Sequence, residues 1–347
     1  MRLEKNRVLT LLAEIDLQLI QSWRRRLLKK ASGSPRIAVV GNCQSFGIAY
    51  GMKLLNPEST IDRFTIVRPG WTNLDMLQRT LQDYDYVFSL EFQKGFVKGG
   101  DWLALRDRMP SIIPMPSIVF SGFHPDTIYI LDPTRNGRPL DSATGPYHSA
   151  LALYGYLAGL TPERTIALYD ANVFRMLGYF DIWQPAADEF LASARATGLD
   201  LSTDFLRWSR RGCFMYSMNH PKSFVLADVA RALLQREKLP IHDLDFDDFD
   251  VDDIVRGSVF PVYPPIAEYY GHRGSYVFKL ANYRLSRSVG EFMTLRQFVE
   301  SSFRVYAKHT RAQLAHHRVE DWLANADLGR DLAVLSAENL AKTVRAA

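Results

Sequence analysis

The chain has 347 residues, of which 47% are hydrophobic and 23% are charged, and its formal net charge is +4. This composition is typical of a soluble globular protein with one large or two modest domains. The weak positive charge does not require a nucleic acid partner, and it suits small anionic ligands such as phosphate-bearing cofactors. With only two cysteines, no disulfide framework is expected, so we predict a cytoplasmic protein. The N-terminus lacks the apolar core of a signal peptide, and no apolar stretch reaches the roughly 18–20 residues that span a bilayer.

Residues 1–34 form the first of three predicted segments, an amphipathic basic helix followed by a short linker. Leucine and isoleucine side chains give the helix an apolar face, and its end reads WRRRLLKK. One interpretation is a helix, over residues 1–30, that contacts a membrane surface or a second copy of the chain. The other is a helix that packs on the rest of the protein and leaves its basic end in solvent. Peripheral membrane association therefore stays open as an expectation.

Residues 35–290 form the second predicted segment, an α/β domain with helical insertions. Short apolar runs alternate with helix-like stretches, a pattern that indicates a mostly parallel sheet flanked by helices. The predicted strands lie at residues 36–40, 64–67, 86–90 and 128–131, with an edge or irregular segment at 112–116, and the first predicted helices lie at 45–55 and 74–81. Residues 146–240 are mainly helical, and the third segment, residues 291–347, is charged and helical.

The sequence argues against several common ligand sites. Residues 241–255 are acidic, but they lack the glycine and the glutamate that a calcium loop requires, so we interpret them as a solvated connector. Histidines and cysteines show no zinc-binding spacing, and we predict no metal. Neither a GxGxxG motif after the first strand nor a Walker loop is present, which argues against the standard dinucleotide and P-loop sites but not against a cofactor held in another way.

Cys43 lies in the turn between the first predicted strand and the helix that follows it. The unpaired N–H groups and the dipole of a helix N-terminus favour negative charge, so they should lower the pKa of a thiol placed there. The same N–H groups suit the oxyanion of an acyl intermediate, and Asn42 and Gln44 add amide donors on either side. We therefore predict that Cys43 is catalytic; the alternative is a small residue packed in a tight turn.

Two histidines are candidates for the base that a cysteine nucleophile needs. His124 lies in SGFHPD and His220 in MNHP, and the proline after each favours an extended backbone. Loops that follow parallel strands gather at the carboxyl edge of the sheet, where α/β folds bind ligands. Asp126 is predicted to orient a histidine, and Asn219 to donate to an oxyanion or orient substrate. His148 is expected to line the same cleft or to face solvent.

Four stretches occur in an order that resembles the WcbI-like family of capsular polysaccharide biosynthesis proteins. They are VVGNCQ, FSGFHPD, GPYHSALALYGYLAGL and MNHPKSFVLADVARALL, within residues 36–279. The family is similar in layout to the SGNH (GDSL-type) hydrolases, in which a serine follows the first strand; Cys43 takes that place in this chain. The resemblance implies an SGNH-like α/β fold that binds coenzyme A and moves an acetyl group from acetyl-coenzyme A to a capsule sugar. The Asp-x-x-His motif of those hydrolases is not found, so the base is not assigned by the resemblance.

Under this interpretation each candidate residue has an expected role. The catalytic candidates are Cys43, His220, His124 and Asp126, and the oxyanion or substrate contacts are Asn42, Gln44, Asn219 and His148. The cations expected to bind the phosphates of coenzyme A are Arg68, Arg135, Lys222, His272 and Arg273. The expected acceptor is a sugar or a polysaccharide precursor. Two other functions stay open: an esterase or thioesterase on the same layout, and a non-catalytic protein that binds coenzyme A or sugar.

Overall fold

The structure, a computed structural model, describes residues 34–66, 73–135, 137–282 and 291–346, without the side chains of Arg135 and residues 343–346. The predicted N-terminal helix lies outside the described residues. The chain forms two compact units: unit 1 is Met1–Ile118, Leu191–Phe205 and Ser223–Ile254, and unit 2 is Val119–Phe190, Leu206–Lys222 and Val255–Ala347. The domain boundaries predicted after residues 34 and 290 stay predictions, because residues beside both positions lie outside the described part.

The described elements follow one another in chain order. The strands are β1 Arg36–Gly41, β2 Thr60–Thr65, β3 Tyr86–Leu90, β4 Ile113–Met115, β5 Thr127–Ile128, β6 Leu131–Asp132, β7 Arg138–Pro139, β8 His148–Ser149, β9 Met215–Ser217, β10 His220–Pro221, β11 Val277–Lys279 and β12 Phe292–Thr294. The helices are α1 Gln44–Leu55, α2 Leu74–Leu81, α3 Trp102–Arg108, α4 Ala150–Leu157, α5 Pro162–Ile166, α6 Ala171–Met176, α7 Trp183–Ala196, α8 Ser202–Arg211, α9 Ser223–Arg236, α10 Pro264–Tyr269, α11 Leu295–Tyr306, α12 His317–Ala324 and α13 Ala326–Ala346.

Unit 1 contains a four-stranded parallel sheet in the order β2-β1-β3-β4. This sheet and its helices confirm the predicted α/β class. β1 is buried along its whole length, as expected for a continuous apolar run in a central parallel strand. β2 begins four residues earlier than the predicted strand at 64–67, because Asp62 and Arg63 interrupt the apolar pattern on which that prediction relied.

Helices α1 and α9 pack closely in unit 1, and two glycines on α1 allow this approach. A Cβ at Gly47 would overlap the side chain of Leu226, and one at Gly51 would lie 3.0 Å from the Cα of Ala227. Larger residues at these positions would push the helices apart. This packing fixes α1, and therefore the position of its first turn.

Carboxylates of the acidic run cap the N-terminus of α9. The Ser223 hydroxyl donates to Asp250 at 2.6 Å, and the Ser223 backbone N–H donates to Asp252 at 3.1 Å. Acidic groups at a helix N-terminus satisfy its free N–H groups and its dipole. The run is therefore more than the solvated connector that its composition suggested. No group of three or more histidines, cysteines or carboxylates that could hold a metal ion is found within the described residues.

Unit 2 is mainly helical and contains short antiparallel strand pairs, β5 with β8, β6 with β7, β9 with β10 and β11 with β12. The prediction of one strand at residues 128–131 is wrong, because β5 and β6 belong to two separate pairs. The segment after residue 290 is helical over α11 to α13 and contributes to the core of this unit: the ring of Phe298 stacks on Phe278 at 4.0 Å. Of the helices that the structure describes, none has the length and apolar character needed to cross a membrane.

Candidate functional site

Cys43 lies at the carboxyl edge of the unit 1 sheet, between the end of β1 at Gly41 and the start of α1 at Gln44. β1 pairs with β2 on one side and with β3 on the other, so the connections that follow β1 and β2 place the next strands on opposite sides of β1. This is a topological switch point. Open α/β sheets bind ligands at the carboxyl edge beside such a switch point. Cys43 is an exposed residue at this edge.

Hydrogen bonds from the neighbours of Cys43 hold the turn in place. The Asn42 side chain accepts the Gln44 backbone N–H at 2.9 Å, and the Asn42 carbonyl accepts the Ser45 hydroxyl at 2.7 Å. The buried Gln44 amide donates to the Ile118 carbonyl and accepts the Ile118 N–H, both at 2.9 Å. The predicted contact of the Gln44 side chain with substrate is therefore corrected: this side chain ties the turn to the segment after β4.

Opposing effects set the protonation of Cys43. Desolvation by the surrounding protein raises its pKa to about 11, while the backbone N–H groups of Cys43 and Gln44 and the charge of Arg63 act to lower it. The helix terminus acts in the expected direction, but the expectation of a lowered pKa is wrong, since desolvation is the larger effect. At neutral pH Cys43 is therefore a protonated thiol.

His124 is a buried histidine of unit 2, with 3% of its surface exposed. Its Nε2 lies 2.9 Å from the carbonyl oxygen of Phe260, and since a carbonyl can only accept, we assign the hydrogen to Nε2. The basic nitrogen is then Nδ1, which has no hydrogen-bond partner among the described residues. Burial lowers the pKa of His124 to about 4, so the ring is neutral at pH 7.

Asp126 is buried in unit 2 and is surrounded by donors. Its carboxylate accepts the hydroxyls of Tyr179 at 2.7 Å and Tyr263 at 2.9 Å and the backbone N–H of Leu151 at 3.0 Å. Burial raises the pKa of Asp126, and these donors oppose the rise. The prediction that Asp126 orients a histidine is wrong for His124, whose ring is held by a backbone carbonyl. Asp126 instead links three segments of the unit 2 core.

His148 is also a core residue of unit 2. It lies in β8 and is fully buried, with Nε2 3.1 Å from the Leu140 carbonyl and Nδ1 3.3 Å from the Tyr306 hydroxyl. Burial lowers its pKa to about 4. The expectation that His148 lines a cleft or faces solvent is wrong, because both ring nitrogens are bonded inside the core.

Asn219 and His220 form a partly exposed polar group with two tyrosines. The Asn219 amide donates to the Tyr129 hydroxyl at 2.8 Å and accepts from the Tyr147 hydroxyl at 2.6 Å. The Tyr129 and Tyr147 rings stack at 5.5 Å, and the His220 ring contacts Tyr147 at 5.6 Å. These two bonds set the orientation of the Asn219 amide beside His220.

A family model described as "Polysaccharide biosynthesis enzyme WcbI" matches residues 36–242, more than half of the chain. The chain belongs to the WcbI family. A solved structure, described as native WcbI, a novel polysaccharide biosynthesis enzyme, without a disulfide bond between coenzyme A and one of its cysteines, is similar to this WcbI-family chain with a TM-score of 0.59. Its sequence is 15% identical, and the alignment covers 87% of this chain and 99% of that chain, so the likeness is one of fold. No curated protein matches the chain.

The cations predicted for coenzyme A have different environments in this WcbI-family protein. Arg68 and the side chain of Arg135 lie outside the described residues. In unit 2 the Lys222 ammonium lies 5.8 Å from the centre of a tyrosine ring, and the His272 ring packs 5.7 Å from a phenylalanine ring. Arg273 is exposed. The phosphate-binding role of all five stays a prediction.

Arg63 is not among the cations predicted from the sequence, because those were expected in loops and Arg63 lies in β2. Its guanidinium lies 5.2 Å from the ring centre of Phe46, one turn after Cys43 on α1. The feature of the sequence that could have identified Arg63 is a basic residue in the strand that follows the helix after Cys43. Within unit 1 the structure thus places Arg63, Asn42 and Cys43 at one site.

Proposed function

We propose that this WcbI-family protein is an acyltransferase that moves an acetyl group from acetyl-coenzyme A to a hydroxyl of a capsule or exopolysaccharide sugar. The observation that carries the proposal is the exposed Cys43 thiol at the switch point of a parallel sheet, in a family of polysaccharide biosynthesis enzymes. The description of the similar solved structure names coenzyme A together with a cysteine of that protein, and says that no disulfide bond joins them in that structure. An SGNH-like arrangement, with Cys43 in the place of the nucleophilic serine, is part of the proposal.

Two routes would move the acetyl group. In the first, the Cys43 sulfur attacks the thioester carbonyl, the thiolate of coenzyme A leaves, and the sugar hydroxyl then takes the acetyl group from Cys43. In the second, the sugar hydroxyl attacks acetyl-coenzyme A directly, and Cys43 shapes the oxyanion site. A thiol with a pKa of about 11 is only about 10⁻⁴ ionised at pH 7. This favours the second route, or a first route in which the thiol loses its proton to a base during the attack.

We prefer His220 as the base that accepts the hydroxyl proton. It is partly exposed beside an oriented amide, whereas His124 is almost fully buried and its pKa of about 4 makes it a weak base. His220→Asn should lower kcat by about 10²–10⁴-fold, the usual contribution of a positioned base. His148→Gln serves as a control for a histidine of unit 2 that the structure places in the core.

Incubation with acetyl-coenzyme A, with and without sugar acceptors, tests the proposal. Sugar-dependent release of the coenzyme A thiol supports the transferase, and release without sugar supports the esterase or thioesterase alternative. Cys43→Ala separates the routes: near-complete loss of turnover, with an acetyl adduct on the parent protein by mass spectrometry, supports the first. Retained turnover in Cys43→Ala excludes it. Absence of turnover with every acceptor, together with binding of coenzyme A, would favour the non-catalytic alternative.

A further inference from the structure

The loop that follows β3, residues 91–100, lies at the same sheet edge as Cys43. β3 is the neighbour of β1 in the sheet, and the register pairs Val40 with Ser89. Continued by two residues, this register places Glu91 beside Asn42, and a Cβ at Gly41 would lie 2.7 Å from the side chain of Leu90. The loop therefore borders the switch point on the side opposite to β2.

Loop 91–100 has a defined shape that turns some of its side chains inward. Phe92 and Val97 are buried in the unit 1 core, and the Lys98 carbonyl accepts the backbone N–H of Leu74 at 2.9 Å. Gly95 and Gly99 have φ values of +96° and +94°, a region that strongly favours glycine. These anchors and turns leave Phe96 between the two glycines, with 52% of its surface exposed.

The outward side chains of the loop have the chemistry of a saccharide site. Glu91 and Gln93 are exposed, and their side chains end in planar groups. The Glu91 carboxylate can accept hydrogen bonds from sugar hydroxyls, and the Gln93 amide can both donate and accept them. An exposed aromatic ring such as Phe96 offers an apolar face for the C–H groups of a sugar ring. Lys94 and Lys98 are exposed, and neither side-chain ammonium makes a hydrogen bond or an ion pair with any residue in the described ranges. Two lysines against one glutamate favour a ligand that carries negative charge.

We infer that loop 91–100 is the subsite for the acceptor, a saccharide that bears a carboxylate or a phosphate. The Phe96 ring packs against the sugar face, Glu91 and Gln93 bond its hydroxyls, and the lysines attract its acidic group. The saccharide is an acceptor only if the proposed function holds, so the inference rests on that function. Binding of the saccharide, however, can be measured without any acetyl transfer.

Saturation-transfer NMR with glucuronic acid as the probe, and glucose as its neutral counterpart, tests the inference on the full chain. We expect saturation transfer to glucuronic acid that falls at least 10-fold in Phe96→Ala and is retained in Phe96→Trp. Leu103→Ala is the matched control, because Leu103 is a 61% exposed apolar residue of α3 in the same unit. Lys94→Gln should lower the signal of glucuronic acid toward that of glucose.

The outcomes separate this inference from the proposed function. Equal signals in the parent and in Phe96→Ala would overturn the subsite even if acetyl transfer is found. A saturation-transfer signal that depends on Phe96, together with no acetyl transfer to any acceptor, would support the saccharide subsite and contradict the proposed transferase activity. If Phe96→Ala instead changes the elution volume of the protein and no saccharide signal appears in the parent, the exposed ring is a protein contact and the inference is wrong.

Discussion

The reactivity of Cys43 is the property that the proposed chemistry needs most, and it can be measured directly. The chain has two cysteines, so Cys213→Ser leaves Cys43 as its one thiol. Desolvation raises the pKa of Cys43 to about 11. We expect the alkylation rate of this thiol to rise tenfold per pH unit through pH 10 without a plateau.

The expected rate follows from two opposing factors. Compared with a thiol of pKa 9.0, Cys43 has about 100-fold less thiolate at pH 7. A thiolate of higher pKa is the stronger nucleophile, with a Brønsted coefficient of about 0.4–0.5, which recovers about a factor of ten. Alkylation at pH 7 should therefore proceed at roughly a tenth of the rate of an exposed peptide thiol with that reference pKa. Arg63→Gln should slow it further, since the charge of Arg63 lowers the pKa, and Arg63→Lys should restore part of the rate.

Iodoacetamide labelling followed by mass spectrometry of the intact protein gives these rates between pH 6 and pH 10. A variant that lacks both Cys43 and Cys213 gives the background rate of labelling at groups other than thiols. A plateau below pH 9 would refute the reasoning, because it would show that the helix amides and Arg63 outweigh desolvation. Such a result would also move the mechanism toward an acetyl-cysteine intermediate.

Two further predictions concern the scaffold of each unit. Gln44→Leu leaves the buried N–H and carbonyl of Ile118 without partners, so unit 1 should lose about 2–5 kcal/mol, measured as faster hydrogen exchange around both residues, with exposed Gln82→Met as a neutral control. An unchanged exchange rate would contradict the role of the Gln44 bridge. Burial lowers the pKa of His124 and of His148 to about 4, below the ordinary 6.5, so as pH falls the unfolded chain binds these protons first. Stability should be constant above about pH 7 and fall by about 3 kcal/mol for each of these histidines between pH 6.5 and pH 4, and His148→Gln should remove about 3 kcal/mol of the loss in urea titrations.

Local pattern was sufficient to predict the central part of the fold. The buried run of β1, the turn that carries Cys43 and the helix after it follow from apolar continuity and from glycine as a breaker, and β3 follows in the same way. The prediction failed where burial is partial: β2 carries Asp62 and Arg63 at its centre, and the apolar run at 128–131 pairs with segments that no local pattern identifies. The prediction for Asp126 failed because its partners are distant in the sequence: Tyr263, whose hydroxyl donates to it, is 137 residues away.

The turn around Cys43 shows why proximity in the sequence does not assign chemical roles. Asn42, Cys43 and Gln44 are three consecutive polar residues, and each was a candidate for contact with substrate. Gln44 faces inward and bonds a segment 74 residues away, the Asn42 side chain accepts the backbone N–H of Gln44, and only the cysteine between them is exposed. The side chains of Asn42 and Gln44 make their hydrogen bonds to the backbone, so they hold the thiol at the edge of the sheet and do not contact it as activating groups. The effects that lower the pKa of Cys43 are instead the backbone N–H groups of Cys43 and Gln44 and, after them, the charge of Arg63.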